Sequence, residues 1–137
     1  MAKVVNDAKQ IADLDAPVLT FGETGTGKEM IAKACHQASR RNKGEFLVLN
    51  CASLPDSVAE SELFGYAAGA YNQPEGKAGL LELAAGGTIL LDEIADMSPQ
   101  LQAKLLRVLE HNEFRRVGDD KPVAVNVRFI CTTGRDL

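Results

Sequence analysis

An apolar run, Val18-Leu19-Thr20-Phe21, leads into Gly22-Glu23-Thr24-Gly25-Thr26-Gly27-Lys28, and a stretch without Gly or Pro follows from residue 28 to 41. Glycines at 22, 25 and 27 let the backbone curl so that successive N–H groups face an anion, while the helix that follows offers its positive end. Lys28 would then reach the β- and γ-phosphates of a nucleotide. A ligand-free turn would need the glycines and the lysine to fall into register by chance, so the segment reads as a phosphate-binding loop between a strand and a helix. Glu29 stands where Ser or Thr commonly helps to hold magnesium, an apparent defect in the loop.

The rest of the chain supplies a frame for such a loop. Residues 4–14 place Val4, Ala8, Ile11 and Ala12 on one helical face, and Pro17 opens the first strand. Residues 28–41 space Ile31, Ala34, Cys35 and Ala38 as a helix with a basic end, and a second strand follows over 46–49. Ser53-Leu54-Pro55 starts a short helix towards Leu63, and residues 65–79 read as a loop or broken helix. A third strand over 88–91 is set off by Gly86-Gly87, and Ser98-Pro99 opens a helix with Leu101, Leu105, Val108 and Leu109 as core. A turn over residues 118–122 leads to a fourth strand over 125–131. Strands that are apolar throughout and alternate with helices predict an α/β fold with a parallel sheet covered on both sides, one domain over residues 1–137.

Composition narrows the partners. A formal net charge of -4 excludes a free-standing basic surface for DNA, so any DNA contact is expected elsewhere. Cys35, Cys51 and Cys131 have neither disulfide nor zinc spacing and read as buried thiols in a reducing cytoplasm. No apolar run has signal-peptide or membrane-span length, so an intracellular, cytoplasmic protein without a membrane partner is expected.

Leu90-Leu91-Asp92-Glu93 ends the third predicted strand, and ligands of open α/β sheets bind at the carboxyl ends of strands. Asp92 would hold Mg²⁺ directly or through water, and Glu93 would orient and deprotonate an attacking water. Alone, two acids at a strand end read equally well as solvated charge; beside the glycine loop they point to a nucleotide site. Asn50, after the second strand, reads from the residues as a turn or cap. Arg40, Arg41, Lys43 and the pair Arg115-Arg116 read as solvated charge, with a neighbouring subunit's surface as the alternative for the pair.

The segments GETGTGKE, LNCASL, ESELFG, GGTILLDEI, QAKLLRVLE, FRRVG and VNVRFICTT resemble the sigma-54-interaction type of AAA+ domain over nearly the whole chain. The resemblance implies a P-loop NTPase (AAA+) three-layer α/β/α core that binds ATP with Mg²⁺. Glu29 is usual in that family. Nucleotide contacts are implied over Gly22 to Glu29 and over Ala84-Ala85-Gly86-Gly87-Thr88-Ile89-Leu90-Leu91-Asp92-Glu93, with Glu93 catalytic, Asp92 on the metal, and Asn50 holding Glu93 in an inactive pose. The family pattern also implies that the chain stops before the last core strand, the helical lid and the arginine fingers. Residues 18–21 are then expected to form an open edge through which the chain self-associates, with weak nucleotide binding and little hydrolysis.

Two departures stand out. The family's sigma-54-contacting loop GAFTGA is replaced by Gly69-Ala70-Tyr71-Asn72-Gln73-Pro74, and the sensor motif Thr-Asn by Thr132-Thr133-Gly134, where glycine has no amide to offer the γ-phosphate. Both features, with Pro-Glu-Gly-Lys at 74–77, resemble the tyrosine-responsive (TyrR-like) regulators of aromatic amino-acid genes. That subgroup implies an ATP-gated switch for self-association, an aromatic amino-acid effector, RNA polymerase as partner, and DNA bound through a helix-turn-helix domain outside these residues. An ATP-hydrolysing sigma-54 activator that remodels polymerase is the alternative.

Overall fold

A computed structural model describes residues 18–21 and 26–133, with side chains from residue 27 onward. The helix expected over residues 4–14, residues 22–25 of the glycine loop, and Gly134 lie outside the described residues. In chain order the elements are β1 (Val18–Phe21), α1 (Thr26–Ala38), β2 (Phe46–Asn50), α2 (Asp56–Phe64), β3 (Gly65–Tyr66), a 3-10 turn (Ala70–Asn72), β4 (Lys77–Ala78) and α3 (Leu80–Leu83). There follow β5 (Thr88–Asp92), a second 3-10 turn (Ile94–Asp96), α4 (Pro99–His111), β6 (Glu113–Phe114), β7 (Val123–Ala124) and β8 (Arg128–Thr133).

The main sheet has four strands in the order β1-β8-β5-β2, all parallel. Its interior strand shows why a continuous apolar run was needed: Thr88, Ile89, Leu90 and Leu91 are all fully buried. Side chains alternate across a strand. Ile89, Leu91 and Phe129 therefore join the layer built by Leu63, Phe64, Leu101, Leu105 and Val108 of α2 and α4, whereas Leu90 and Ile130 pack with Ala32 and Cys35 of α1. Helices cover both faces, giving the expected three-layer P-loop NTPase architecture. β1 and β2 flank the described sheet, and Val48 on β2 is correspondingly exposed.

Strand entry is tight between β2 and β5. A Cβ on Gly87 would lie 2.1 Å from Glu45 O and one on Gly44 2.4 Å from Gly86 O, so only glycine fits where these two backbones cross. α4 begins as its sequence demands, with Ser98 Oγ accepting from the Leu101 N–H at 3.1 Å and Pro99 in the first turn.

Several sequence expectations are corrected. α1 ends at Ala38, and residues 40–43 lie in turns. Arg41 is no solvated helix end: its Nη1 donates to both Asn126 O and Asn126 Oδ1 at 3.1 Å. Asn126 O also accepts from Gly86 N at 2.8 Å, and these bonds divert the backbone there. The last strand consequently starts at Arg128 and runs to Thr133, while Val123–Ala124 pairs with Glu113–Phe114 as a separate hairpin. Residues 65–79 form neither a plain loop nor a broken helix. They form a second antiparallel hairpin, β3 with β4, whose Tyr66 bridges Val117, with Ala67 N–H to Val117 O and Val117 N–H to Gly65 O both at 2.9 Å. Arg116 is likewise paired, its Nε and Nη2 each 2.9 Å from the Glu82 carboxylate, which raises the guanidinium pKa; Arg115 stays exposed. Cys35 and Cys51 are buried as expected, and Cys131 is half-buried.

Candidate functional site

The carboxyl ends of β5 and β8 and the first turn of α1 meet at one edge of the sheet. Asp92 closes β5, and Glu93 then takes a left-handed backbone conformation (φ 58, ψ 55) that turns the chain into the Ile94–Asp96 turn. A non-glycine residue in this region costs about 1–2 kcal/mol, a strain often found where a side chain must be aimed. Here it aims Glu93, 9% exposed, towards Lys28, 8% exposed; Glu93 Oε1 lies 3.9 Å from Lys28 Nζ. The same ammonium donates to Thr133 O at 2.8 Å. Thr132 Oγ1 donates to Asp92 Oδ1 and accepts from the Glu93 N–H at 3.2 Å. A buried lysine is thus held beside Glu93, and the end of β8 holds the lysine and both acids of the strand end.

Asn50 pairs with Asp92 in the β2–β5 register and so lies at the same level. Its Oδ1 accepts from the Ala52 N–H at 3.0 Å, and Asn50 O accepts from Ser53 Oγ at 3.1 Å. The side chain makes a turn, and among the described residues no hydrogen bond joins it to Glu93.

The structure divides the stretch 84–93. Asp92 and Glu93 are at the Lys28 end, but Thr88 is at the opposite end of β5, about 13 Å away at a strand rise of roughly 3.3 Å per residue. Ala84, Thr88, Ile89, Leu90 and Leu91 are fully buried in the core, Gly87 is buried, Gly86 half-buried, and Ala85 is exposed at the far edge. These residues build the strand that carries the two acids. Thr26 begins α1, and Gly27 and Glu29 are exposed beside Lys28. In the sequence Thr132 and Thr133 stand only as part of the altered sensor motif. Finding them needed the pairing of Leu91 with Cys131, which sets residue 132 beside Asp92.

Cys51 and Cys131 have thiol pKa values pushed up to about 12, by burial in both cases and, for Cys51, additionally by Cys131, Asp92, Asp96 and Glu93 around it. Neither is a nucleophile or thiolate ligand at neutral pH. Among the described residues no group of three or more His, Cys, Asp or Glu side chains gathers in metal-binding array. One carboxylate with hydroxyl oxygen beside it suits Mg²⁺, which takes one or two carboxylates and completes its shell with water and phosphate oxygens. A cavity of about 480 Å³ between α4 and β6, lined by Lys104, Arg107, His111 and Arg115, holds none of these groups. Among the described residues no helix is long and apolar enough to cross a membrane.

The family model of the sigma-54 interaction domain matches residues 1–137. The chain is 60% identical over its full length to the HTH-type transcriptional regulatory protein TyrR of Enterobacter agglomerans, covering 26% of that protein. It is also 51% identical to the anaerobic nitric oxide reductase transcription regulator NorR of Aeromonas hydrophila subsp. hydrophila, covering 100% of this chain and 27% of NorR. It spans about a quarter of the length of these curated relatives. Among solved structures, NtrX from Brucella abortus in complex with ATP superposes with a TM-score of 0.89 at 38% identity, over 99% of this chain and 29% of that one. The P-loop NTPase domain of an E. coli sigma-54 activator shares the fold at a TM-score of 0.59 and 20% identity, over 98% of this chain and 74% of that one. With the glycine loop, the Asp92-Glu93 strand end and this full-length match together, the chain belongs to the sigma-54 interaction domain family of AAA+ P-loop NTPases.

Proposed function

We propose that this domain binds ATP with Mg²⁺ at the carboxyl edge of its sheet and serves, within a bacterial transcription regulator of the cytoplasm, as a nucleotide-dependent switch for self-association. The observation that carries the reading is the buried Lys28 ammonium held 3.9 Å from Glu93 and 2.8 Å from Thr133 O, at the start of the helix that follows the glycine loop. A buried cation in the first turn of a helix suits phosphate oxygens. Lys28 would neutralise phosphate charge, with the loop N–H groups of residues 22–27 around it. Asp92 would hold the cation, which when bound supplies charge neutralisation between the phosphates. Glu93 would orient a water and take its proton.

The switch reading is favoured over rapid turnover by Gly134 in the sensor position and by the altered loop at 69–74. In that loop Tyr71 (φ 54) and Asn72 (φ 59) are left-handed, a tight turn fixed by Gly69 N–H to Gln73 O at 2.7 Å. By likeness to TyrR, the whole protein would contact DNA through a helix-turn-helix domain and RNA polymerase, and would respond to an aromatic amino acid. The likeness to NorR and the family model favour a second reading, an ATP-hydrolysing sigma-54 activator that remodels polymerase. Calorimetric ATP titration with Mg²⁺, sedimentation with and without nucleotide, and single-turnover hydrolysis separate the two. Tight binding, nucleotide-dependent assembly and slow turnover are expected; turnover of many ATP per assembled subunit per minute would favour the activator, and absence of ATP binding would sink both.

A further inference from the structure

Thr132 is fully buried, and both hydrogen bonds of its hydroxyl end on the acid turn: it donates to Asp92 Oδ1 and accepts from the Glu93 N–H at 3.2 Å. A hydroxyl has one proton to give, so donation to Asp92 leaves its lone pairs for the Glu93 amide. The amide it holds belongs to a residue at φ 58, a conformation that a side chain with a Cβ disfavours. One residue further on, Thr133 O accepts from Lys28 Nζ at 2.8 Å. Consecutive residues of β8 therefore hold both acids through a side chain and the lysine through the backbone. Valine would fill the same volume in the sheet interior but could make neither bond.

We infer that Thr132 is a positioning residue for the divalent cation. By engaging one oxygen of Asp92 it fixes the carboxylate and leaves the other oxygen for the cation, and by holding the Glu93 amide it keeps that side chain beside Lys28. The inference rests on the nucleotide reading above. Partners that orient a metal-binding carboxylate in this way typically change metal affinity by about 10–100-fold when removed.

The test titrates a fluorescent ATP analogue into the domain in EDTA and across a Mg²⁺ series, for wild type, Thr132→Val, Thr132→Ser and Lys28→Ala, with thermal melts to establish folding. Thr132→Val is expected to keep the EDTA affinity and to need at least about tenfold more Mg²⁺ for half-maximal enhancement, whereas Thr132→Ser stays near wild type. Lys28→Ala should lose binding under both conditions. A folded Thr132→Val with the wild-type Mg²⁺ requirement overturns the inference, as does a Thr132→Ser variant impaired as severely as valine, since packing alone would then explain both. If the valine variant does not fold, Thr132→Ser against Thr132→Ala, which differ by one oxygen, decides on the same criterion. Wild type that binds no nucleotide removes the underlying reading, and this inference with it.

Discussion

Replacing Lys28 by methionine separates a residue kept for a ligand from one kept for the fold. The side chain is 8% exposed, and its ammonium donates to Thr133 O at 2.8 Å with Glu93 Oε1 at 3.9 Å. Hydrogen bonds to a charged group contribute about 1.5–3 kcal/mol, so losing the Thr133 bond is unfavourable to folding by that order. Methionine, however, keeps most of the volume and removes the cost of holding an ammonium out of water, which is often several kcal/mol. The substitution also takes the Lys28 cation from beside the buried Glu93 carboxylate, and removing one partner of a buried pair costs about 3–5 kcal/mol, so the relief is only a partial offset and folding stability is expected to fall by about 2–4 kcal/mol. Nucleotide affinity has no such compensation. An ATP phosphate loses at least one charge-assisted bond of about 1.5–3 kcal/mol and the local positive charge, giving a loss of roughly 100-fold or more. Urea melts give the first quantity and calorimetric ATP titration the second. Unchanged ATP affinity in a folded Lys28→Met protein would refute the assignment of Lys28 to phosphate, and a large loss of stability with little loss of affinity would recast it as a structural residue.

Glu93→Gln is expected to keep ATP affinity within about threefold while removing any residual hydrolysis, because the amide preserves shape but is a poor proton acceptor; equal turnover by variant and parent in a single-turnover assay would discard Glu93 as the base. Gly87→Ala should destabilise by about 3 kcal/mol or prevent folding, since the new Cβ would sit 2.1 Å from Glu45 O, whose bond to Thr88 N–H at 2.8 Å joins β2 to β5; a chemical-denaturation midpoint near that of the parent would count against it. His36 is buried, with Nε2 donating to Gly44 O at 3.1 Å and Nδ1 accepting from Thr88 Oγ1 at 2.8 Å, and burial lowers its pKa from 6.5, the Gly44 bond opposing and Arg128 adding to the shift. The unfolded chain therefore takes up the proton first on acidification, so this contribution is complete above about pH 6.5 and is lost as pH falls through the lower folded value. Denaturation series from pH 7.5 to 5 should show the loss in the parent and a shallower one in His36→Asn; equal slopes would remove His36 as its source.

The P-loop NTPase family and the α/β class were legible from local pattern. A glycine loop between a strand and a helix, and the apolar run of residues 88–91 closed by Asp92-Glu93, carry their meaning in adjacent residues, and the backbone periods they require are local. Asn50 shows where this stops: from the residues it reads as a turn, the family likeness implies a switch, and the bond its side-chain Oδ1 accepts from Ala52 N–H fits the turn. The pairing of residues 65–66 with 77–78, the tie of Tyr66 to Val117, and the delay of the last strand to Arg128 depend on partners distant in the chain, where hydrogen bonds of the Asn126 backbone and side chain outweigh the β-preference of Val125 and Val127. The sequence by itself determined which residues could bind phosphate and metal, because that capacity belongs to their chemistry and spacing. Only the tertiary structure decided that Thr132 and Thr133 hold them in place, because strand register is set by the pairing of a whole sheet, and a shift of one residue would have turned the Thr132 hydroxyl to the other face.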